Sequence, residues 1–428
     1  GAAAPLVAQE SLSLDQVVQQ TLAHNRSLDA ARAATAEADA RAVEIRAGQL
    51  PRISFVESWQ RGNQPVFVFS SLLSSRRFAQ SNFAEDALNS PSPIGFFHGM
   101  LSVEQLLFDG GRTRAAVSSA TLQRDIAALA AEDAAGTLAV AATEAYGRLL
   151  TARTSERAAA GAVEAAEEDL ARAERRRDAG TISDADVLAV AVHLARVRQR
   201  HIQAGGDASV ARAELNRLMG APIDRELSVQ EPRVRAPGAV PLLPALVAQA
   251  ETSRPDLRRF AAAERLADAG SRLSRAGWFP QIAAQAGYEV NGTRFADRAS
   301  AWIVGGELRW NLSTGGAERA RQNAAAHAVV RAKADRAEAR AAAEVEIVEA
   351  ISRLESAGAR QAVGDAAVDQ ARESVRITRD RFDAGLASVN DVLRASSALL
   401  DAEAERASAI VDAMVAGARL GRATGRQP

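Results

Sequence analysis

Gly110-Gly111-Arg112 opens a proline-free run that closes at Asp178-Ala179-Gly180, and Asp186-Val187-Leu188 then opens another. The layout returns 205 positions later, where Gly315-Gly316 opens, Asp383-Ala384-Gly385 closes and Asp391-Val392-Leu393 begins the next run. Each long run holds about 68 residues, and at about 1.5 Å per residue a helix of that length reaches roughly 100 Å. No ordinary globular core needs such a helix. The two runs therefore decide the fold: long helices laid side by side, in duplicate.

Composition agrees with this. A chain of 428 residues can hold two or three ordinary domains or one large repeated architecture, and the repeat favours the second. Apolar residues make up 47% but aromatics only 4%, so the hydrophobic content is mostly Ala, Val and Leu, suited to thin, closely packed helix faces. The formal charge of −1, with 52 basic and 53 acidic residues spread along the helices, leaves no electrostatic footprint for nucleic acid. The absence of cysteine excludes a disulfide framework and thiolate metal sites. No uninterrupted apolar run reaches about 18 residues, which predicts no membrane-spanning helix. Residues 1–5 lack the basic start and apolar core of a signal peptide.

Upstream of the first long run, Leu14, Val17, Val18 and Leu22 predict a short amphipathic helix over 12–24. An alanine-rich helix follows over about 27–47, and Pro51 ends it. The pattern then changes to period 2. Ile53, Phe55 and Trp59 alternate with Ser54, Ser58 and Gln60, predicting a strand over about 51–61; a second, over about 97–108, places Phe97, Leu101, Val103 and Leu107 on one face. The second half repeats this start with an offset of 229, Pro51 corresponding to Pro280. Its strands, about 280–290 and 301–312, set Ile282, Ala284, Ala286, Tyr288 and Val290 against Gln285 and Glu289, then Trp302, Val304, Leu308, Trp310 and Leu312 against Glu307, Arg309 and Asn311. Roughly ten residues at period 2 match a tilted strand crossing a bilayer. The fall in offset leaves 24 extra residues in the first hairpin, within a loop rich in Ser, Asn, Phe and Pro between Gln60 and Phe96.

Of the 18 aromatic residues, 15 lie in windows 51–108 and 278–312, as membrane-interface girdles require. Strands favour rings on their own account, but that does not explain so few rings in the helices. Heptad spacing at Val368, Val375 and Phe382, and the 3-4-3 steps of Val187, Val190, Leu194 and Val197, predict helices packed at small angles. Gly136, Gly147 and Gly205-Gly206 interrupt the heptads and predict local bends. The chain thus divides into a first repeat (1–220, long helix 112–178, return helix 184–219), a connector (221–250) and a second repeat (251–428, long helix 317–383, return helix 389–421). Pro222, Pro232, Pro237, Pro241 and Pro244 mark the connector, read as an irregular, equatorial link lying against the middle of the helices.

Two copies of strand, strand, long helix, turn and helix, the Leu107-Phe108-Asp109-Gly110-Gly111-Arg112 start, and two Ala-Gly turns each followed by Asp-Val-Leu resemble the TolC-type outer-membrane factor (outer membrane efflux protein) family of Gram-negative bacteria, over about 12–421. The resemblance implies a mainly α fold with a membrane β-barrel part: a homotrimer whose protomers each give four strands to a twelve-stranded outer-membrane β-barrel continued by a periplasmic α-helical barrel. It implies contact with outer-membrane lipid and work as the exit duct of a tripartite efflux or type I secretion system, with a periplasmic adaptor (membrane fusion protein) and an inner-membrane pump of RND, ABC or MFS type. Carried over by position, the periplasmic tip that docks the adaptor is Ala179, Gly180, Thr181, Ile182 and Ser183 with Ala384, Gly385, Leu386, Ala387 and Ser388. Glycine accepts the reversal and offers a small surface, although a plain helix C-cap and serine N-cap use the same residues.

Asp186, Asp391 and Arg394 fall at the implied pore entrance. Threefold rings of acid there favour cations and raise carboxylate pKa values; capping of the returning helices would use the same aspartates, and Arg394 would weaken the ring. The implied aromatic belt is Phe55, Trp59, Phe97, Phe108, Tyr288, Trp302 and Trp310. Phe67, Phe69, Phe78 and Phe83 in the long first loop are placed to close the outer end of the barrel. A soluble coiled-coil scaffold or adaptor would account for the helices but not for the strands. An enzyme finds least support: His24, His98, His193, His201 and His327 show no metal-ligand spacing, and no Lys-Ser/Thr follows Gly110-Gly111 or Gly315-Gly316 as a phosphate loop requires. No catalytic residue, cofactor or metal is expected.

Overall fold

The computed structural model describes residues 11–231 and 242–426. In chain order they form β1 (Ser11–Leu12), α1 (Leu14–His24), α2 (Arg26–Ala47), β2 (Arg52–Gly62), α3 (Pro65–Ser74), a 3-10 turn (Gln80–Phe83), α4 (Glu85–Asn89), β3 (Ile94–Phe108), α5 (Arg112–Asp178), α6 (Asp184–Leu218), β4 (Ser228–Val229), α7 (Leu243–Ser253), α8 (Pro255–Ala276), β5 (Gln281–Arg294), β6 (Asp297–Arg309), α9 (Ala317–Asp383) and α10 (Val389–Ala423). The duplication holds residue for residue: α1 and α2 recur as α7 and α8 at an offset of 229, and α5 and α6 as α9 and α10 at 205.

This corrects the boundary of the second repeat, which begins at Leu243 and not at 251. The proline-rich segment reads as irregular through Pro244, but proline is tolerated in a helix's first turn, where its missing N–H costs no bond, and Pro244 occupies that turn of α7. Pro232, Pro237 and Pro241 lie outside the described residues. The compact units also cut across the repeats. One comprises residues up to Thr35, Ala127–Ala261 and Asp335 onward; the other comprises Ala36–Ile126 and Ala262–Ala334.

The second unit contains an antiparallel sheet in the order β2-β3-β5-β6, so strands of the two repeats pair with each other at its centre. One register row runs Phe55, Leu101, Tyr288, Trp302 and a neighbouring one Ile53, Val103, Ala286, Val304, which collects the large apolar side chains on one face. The opposite face carries Ser54, Ser58, His98, Ser102, Gln285 and Asn291, and there Ser54 Oγ and Ser102 Oγ are 2.6 Å apart. The ladder outlasts the apolar alternation. β3 starts at Ile94, β5 continues to Arg294 and β6 starts at Asp297, whereas β6 stops at Arg309 and leaves Trp310 and Leu312 beyond it. Backbone pairing needs no apolar side chain, so the polar hairpin tip was invisible to an alternation criterion. The first-hairpin loop is likewise not structureless: its apolar segment, led by Pro65, forms α3.

At the hairpin end of the apolar face, Arg298 reaches across two strands to Glu57 at 2.8 Å. Gly99 makes room, since a Cβ there would lie 2.5 Å from the Glu57 carboxylate. The Arg298 guanidinium also lies 4.1 Å from the Phe295 ring centre and 5.4 Å from that of Phe97, so a charge on an apolar face is paired and shielded. At the opposite end Asp109 caps α5: its carboxylate accepts the Gly111 and Thr113 N–H groups at 3.0 and 2.7 Å. Gly110 and Gly111 both take positive φ (66° and 84°), and Gly315 and Gly316 repeat this before α9 (62° and 87°). One further correction concerns α5, which contains a window long and apolar enough, by length and composition, to cross a membrane. Alanines interrupted by a few charges pass such an average while forming no uninterrupted run.

The first unit is helical and has twin cores. One gathers Val17, Ala142, Ala145, Tyr146, Leu149, Leu215 and Leu218, with Leu12 of β1 and Leu227, which directly precedes the parallel partner strand β4. Its repeat image gathers Leu246, Ala250, Ile347, Ala350 and Ala423. In each, the last carbonyl of the return helix is met by the residue after the short helix. Asn25 Nδ2 donates to the Leu218 carbonyl at 2.8 Å, and Arg254 Nη1 donates to that of Ala423 at 3.1 Å.

Arg254 is buried and pairs with Asp256 at 2.8 Å and Glu346 at 2.7 Å. Burial opposes ionisation of Asp256, but the hydrogen bonds and charge of Arg254 outweigh it and hold the carboxyl below its usual range. A folded-state pKa below the unfolded one means that the pair contributes fully above about pH 4 and is lost as pH falls through the lowered value. Arg254→Ala is expected to cost about 3 kcal/mol, the low end for stranding a buried partner, measured by denaturant unfolding in detergent at neutral pH. The deficit relative to wild type should shrink in acid; a deficit unchanged with pH would assign it to packing.

Candidate functional site

The two tip turns lie together in the helical unit. α5 ends in a Schellman motif: Gly180 takes φ 71°, its N–H bonds the Arg177 carbonyl at 2.8 Å, and the Thr181 N–H bonds that of Arg176 at 2.9 Å. α9 repeats it with Gly385 at φ 76°, bonding Phe382 at 3.0 Å, and Leu386 bonding Arg381 at 2.8 Å. Left-handed backbone is why glycine stands at both places. Ala179, Gly180, Thr181 and Ser183 are exposed, as are Ala384, Gly385, Leu386 and Ser388. Ile182 and Ala387 are half-buried, and Ile182 packs with Phe382 and Leu393 against a small core of Ala173, Val187, Val190 and Val389.

Both returning helices start with reciprocal capping boxes. Ser183 Oγ accepts the Asp186 N–H at 3.3 Å while Asp186 Oδ2 accepts from the Ser183 N–H at 3.0 Å and its hydroxyl at 2.7 Å; Ser388 and Asp391 reproduce these distances. The hydrogen bonds from the serines hold both carboxyls below their usual range, and at Asp391 the nearby charge of Arg394 adds to the effect. The aspartates thus act as helix caps, and within one chain their shift is opposite in sign to the one predicted for an acid ring, because a carboxylate accepting two donors is stabilised as the anion.

A clasp between α5 and α9 was not read from the sequence. Arg176 donates to the Phe382 and Asp383 carbonyls at 2.9 and 2.8 Å, its guanidinium carbon lies 4.5 Å from the centre of the Phe382 ring, and Asp383 is 3.9 Å away. Arg379 of α9 bonds Asp169 of α5 at 3.3 Å. The visible signal was the run Arg175-Arg176-Arg177 at a helix C-terminus, where cations suit the dipole, but which arginine crosses to the partner turn depends on packing. Beyond the turns lie two open clefts of about 640 and 750 Å³, the first bordered by α5, α6, α9 and α10 and lined by Asp169, His193, Arg196, Arg200 and Arg379, the second bordered by α5, α6 and α10. Among the described residues no group of three His, Asp or Glu side chains is placed to hold a metal ion.

The aromatic residues occupy three levels of the sheet. Trp59 and Phe97 pair at the hairpin end (ring centres 6.4 Å apart), Phe55, Tyr288 and Trp302 share the middle row, and Phe108 pairs with Ile282 at the far end. Trp310 lies just past β6, its indole N–H bonded to the Trp278 carbonyl at 3.2 Å. Phe97 alone among the seven is mostly covered; the others are exposed.

A family model described as outer membrane efflux protein matches residues 17–221 and 246–426. No curated protein matches the chain in sequence. Among solved structures, the outer membrane protein VceC of Vibrio cholerae is 20% identical, covers 96% of this chain and 96% of its own, and superposes with a TM-score of 0.79. The CmeC outer membrane channel of Campylobacter jejuni is 16% identical, with coverages of 97% and 86% and a TM-score of 0.85. The open state of the MtrE outer membrane channel of Neisseria gonorrhoeae is 18% identical, with coverages of 96% and 88% and a TM-score of 0.77. At these identities the likeness establishes a common, mostly helical fold.

Replacing Ser183 and Ser388 together by Ala should speed local opening of both returning helices about five-fold, equivalent to about 1 kcal/mol per lost cap. Hydrogen exchange of the first-turn amides reads this directly, and unchanged exchange would show that tip packing alone holds the turns.

Proposed function

The chain belongs to the outer membrane efflux protein family, and from that premise we propose that three copies form an exit duct across the outer membrane, continued by their helices into the periplasm. The observation that carries this is the four-stranded sheet with one apolar, aromatic-rich face and two edges, β2 and β6, that no other described strand pairs. These edge strands run in opposite directions, so β6 of one copy can pair antiparallel with β2 of the next, and three copies close twelve strands without leaving an edge. Phe97 and Phe108 are separated along β3 by about 37 Å, or roughly 28 Å along the membrane normal at ordinary strand tilt, close to the height of an outer-membrane apolar band. The seven aromatics then serve as the membrane belt, with Arg298 and Glu57 paired beneath it at the hairpin end.

In this reading the exposed tip turns around Gly180 and Gly385 dock a periplasmic adaptor, which links the duct to an inner-membrane pump. Conduction is passive and the duct performs no chemistry. Asp186 and Asp391 stand near the entrance, and the clasp of Arg176 and Arg379 holds the tip shut until adaptor contact favours the open arrangement. Conductance of detergent-purified protein across a planar bilayer tests these roles. Steady channels are expected, with lower cation preference in Asp186→Ala/Asp391→Ala and about two-fold or greater conductance in Arg176→Ala/Arg379→Ala. Unaltered selectivity would leave the aspartates as helix caps only. Protein that stays soluble without detergent and never inserts would restore the scaffold reading.

A further inference from the structure

The 24-residue excess of the first hairpin over the second is absorbed by the segment that carries α3, the 3-10 turn and α4. Its aromatic residues pack on one another: Phe78 lies 4.7 Å from Phe69 and 5.0 Å from Phe83 between ring centres, each pair edge to face. That cluster gives the segment a core of its own.

Where the segment rests decides what it can do. Phe67 of α3 packs edge to face on Phe96, which stacks on His98, and His98 Nδ1 lies 2.7 Å from Asn291 Oδ1. Phe96, His98 and Asn291 all belong to the polar face of the sheet, opposite Phe55, Tyr288 and Trp302. Val68, Ser71 and Ser75 are buried on the segment's side, and Asn291 is only 1% exposed, so this end of the polar face is covered. Two consecutive arginines fasten it: Arg76 donates to the Ser300 carbonyl at 2.8 Å and Arg77 to the Thr293 hydroxyl. Arg76 takes φ 53°, the one non-glycine residue with positive φ among those described, and this kink directs the two neighbouring side chains to different strands.

We infer that residues 64–91 are an outer plug, latched by Arg76 and Arg77 inside the mouth of the barrel. The inference rests on the twelve-stranded reading, in which the apolar face meets lipid and the polar face therefore lines the lumen. Strand spacing and tilt make such a barrel roughly 25 Å across between backbones. A helix with its side chains is about 10–12 Å wide, so three copies of α3 leave no broad water path. Although the segment rests on the sheet, it leaves Val66, Leu73 and Phe83 exposed, at 75%, 49% and 63%. Apolar side chains converging on the axis make a constriction that closes by expelling water. The duct then has two gates in series, a clasped helical tip and a latched outer plug, and opening one leaves the other limiting.

Series resistance dictates the test. Planar-bilayer conductance is compared in the Arg176→Ala/Arg379→Ala background, with and without deletion of residues 64–91 (strands rejoined by a short turn), and with and without Arg76→Ala/Arg77→Ala. Deletion is expected to raise conductance about three-fold or more, and the latch variant to flicker between the two levels. Channels of equal conductance with and without the segment overturn the plug and leave the barrel standing. Failure of the unmodified protein and of every variant to form channels overturns the barrel, and the plug with it.

Discussion

Backbone hydrogen-bonding groups along the outer edges of β2 and β6 have no partner strand among the described residues, and that constraint governs the rest of the structure. An unpaired edge is tolerable in water only if guarded, and it is untenable in hydrocarbon, where nothing else can satisfy the N–H and C=O groups. The sheet has no such guard along its middle: both edge strands are almost wholly exposed, and their side chains there include Phe55, Trp302 and Val304. In the proposed duct such a sheet is one segment of a larger closed structure, and the antiparallel order of its strands makes closure by identical copies geometrically simple.

The internal duplication is physical as well as textual. Val17, Ala142 and Leu218 of one core occupy the places of Leu246, Ile347 and Ala423 in the other. Two requirements of the fold are met in both copies with different chemistry. Asn25 satisfies the last carbonyl of α6 with a neutral amide; Arg254 does the same for α10 and must then be neutralised by Asp256 and Glu346. Asp109 caps α5 with a carboxylate, whereas Thr314 does so for α9 with a hydroxyl at 3.4 Å from the Glu318 N–H. Tyr146 has no phenolic counterpart, since Ile351 stands in its place; its hydroxyl bonds the Gln230 carbonyl, and burial pushes its pKa up to about 12.

The tip shows the same division between shared and private features. Glycine turns and serine-aspartate boxes occur in both copies and satisfy the backbone groups that each helix reversal leaves unpaired. The crossing of Arg176 to Phe382 and Asp383 occurs once and makes the two hairpins unequal. In the proposed gate this asymmetry places the constraint on one seam.

The sequence by itself determined the period, the order and the ends of the helices, because those depend on local chemistry: proline and glycine punctuation, serine caps and apolar spacing act within a few residues. It determined which strand residues share a face, because the pleat has period 2, except past the irregularity between Leu106 and Phe108, where the shifted register brings Phe108 opposite Ile282. What it could not determine were contacts whose partners lie about 200 residues away, such as Arg176 with Phe382, Arg298 with Glu57 across Gly99, or Arg77 with Thr293. It also misplaced the start of the second repeat and the hairpin tips, where proline and polar residues suggest irregularity but helix and ladder geometry accept them. Only tertiary structure decided that the long first-hairpin segment folds onto the polar face of the sheet, since local propensity made α3 a helix but long-range packing of Phe67 on Phe96 chose the side.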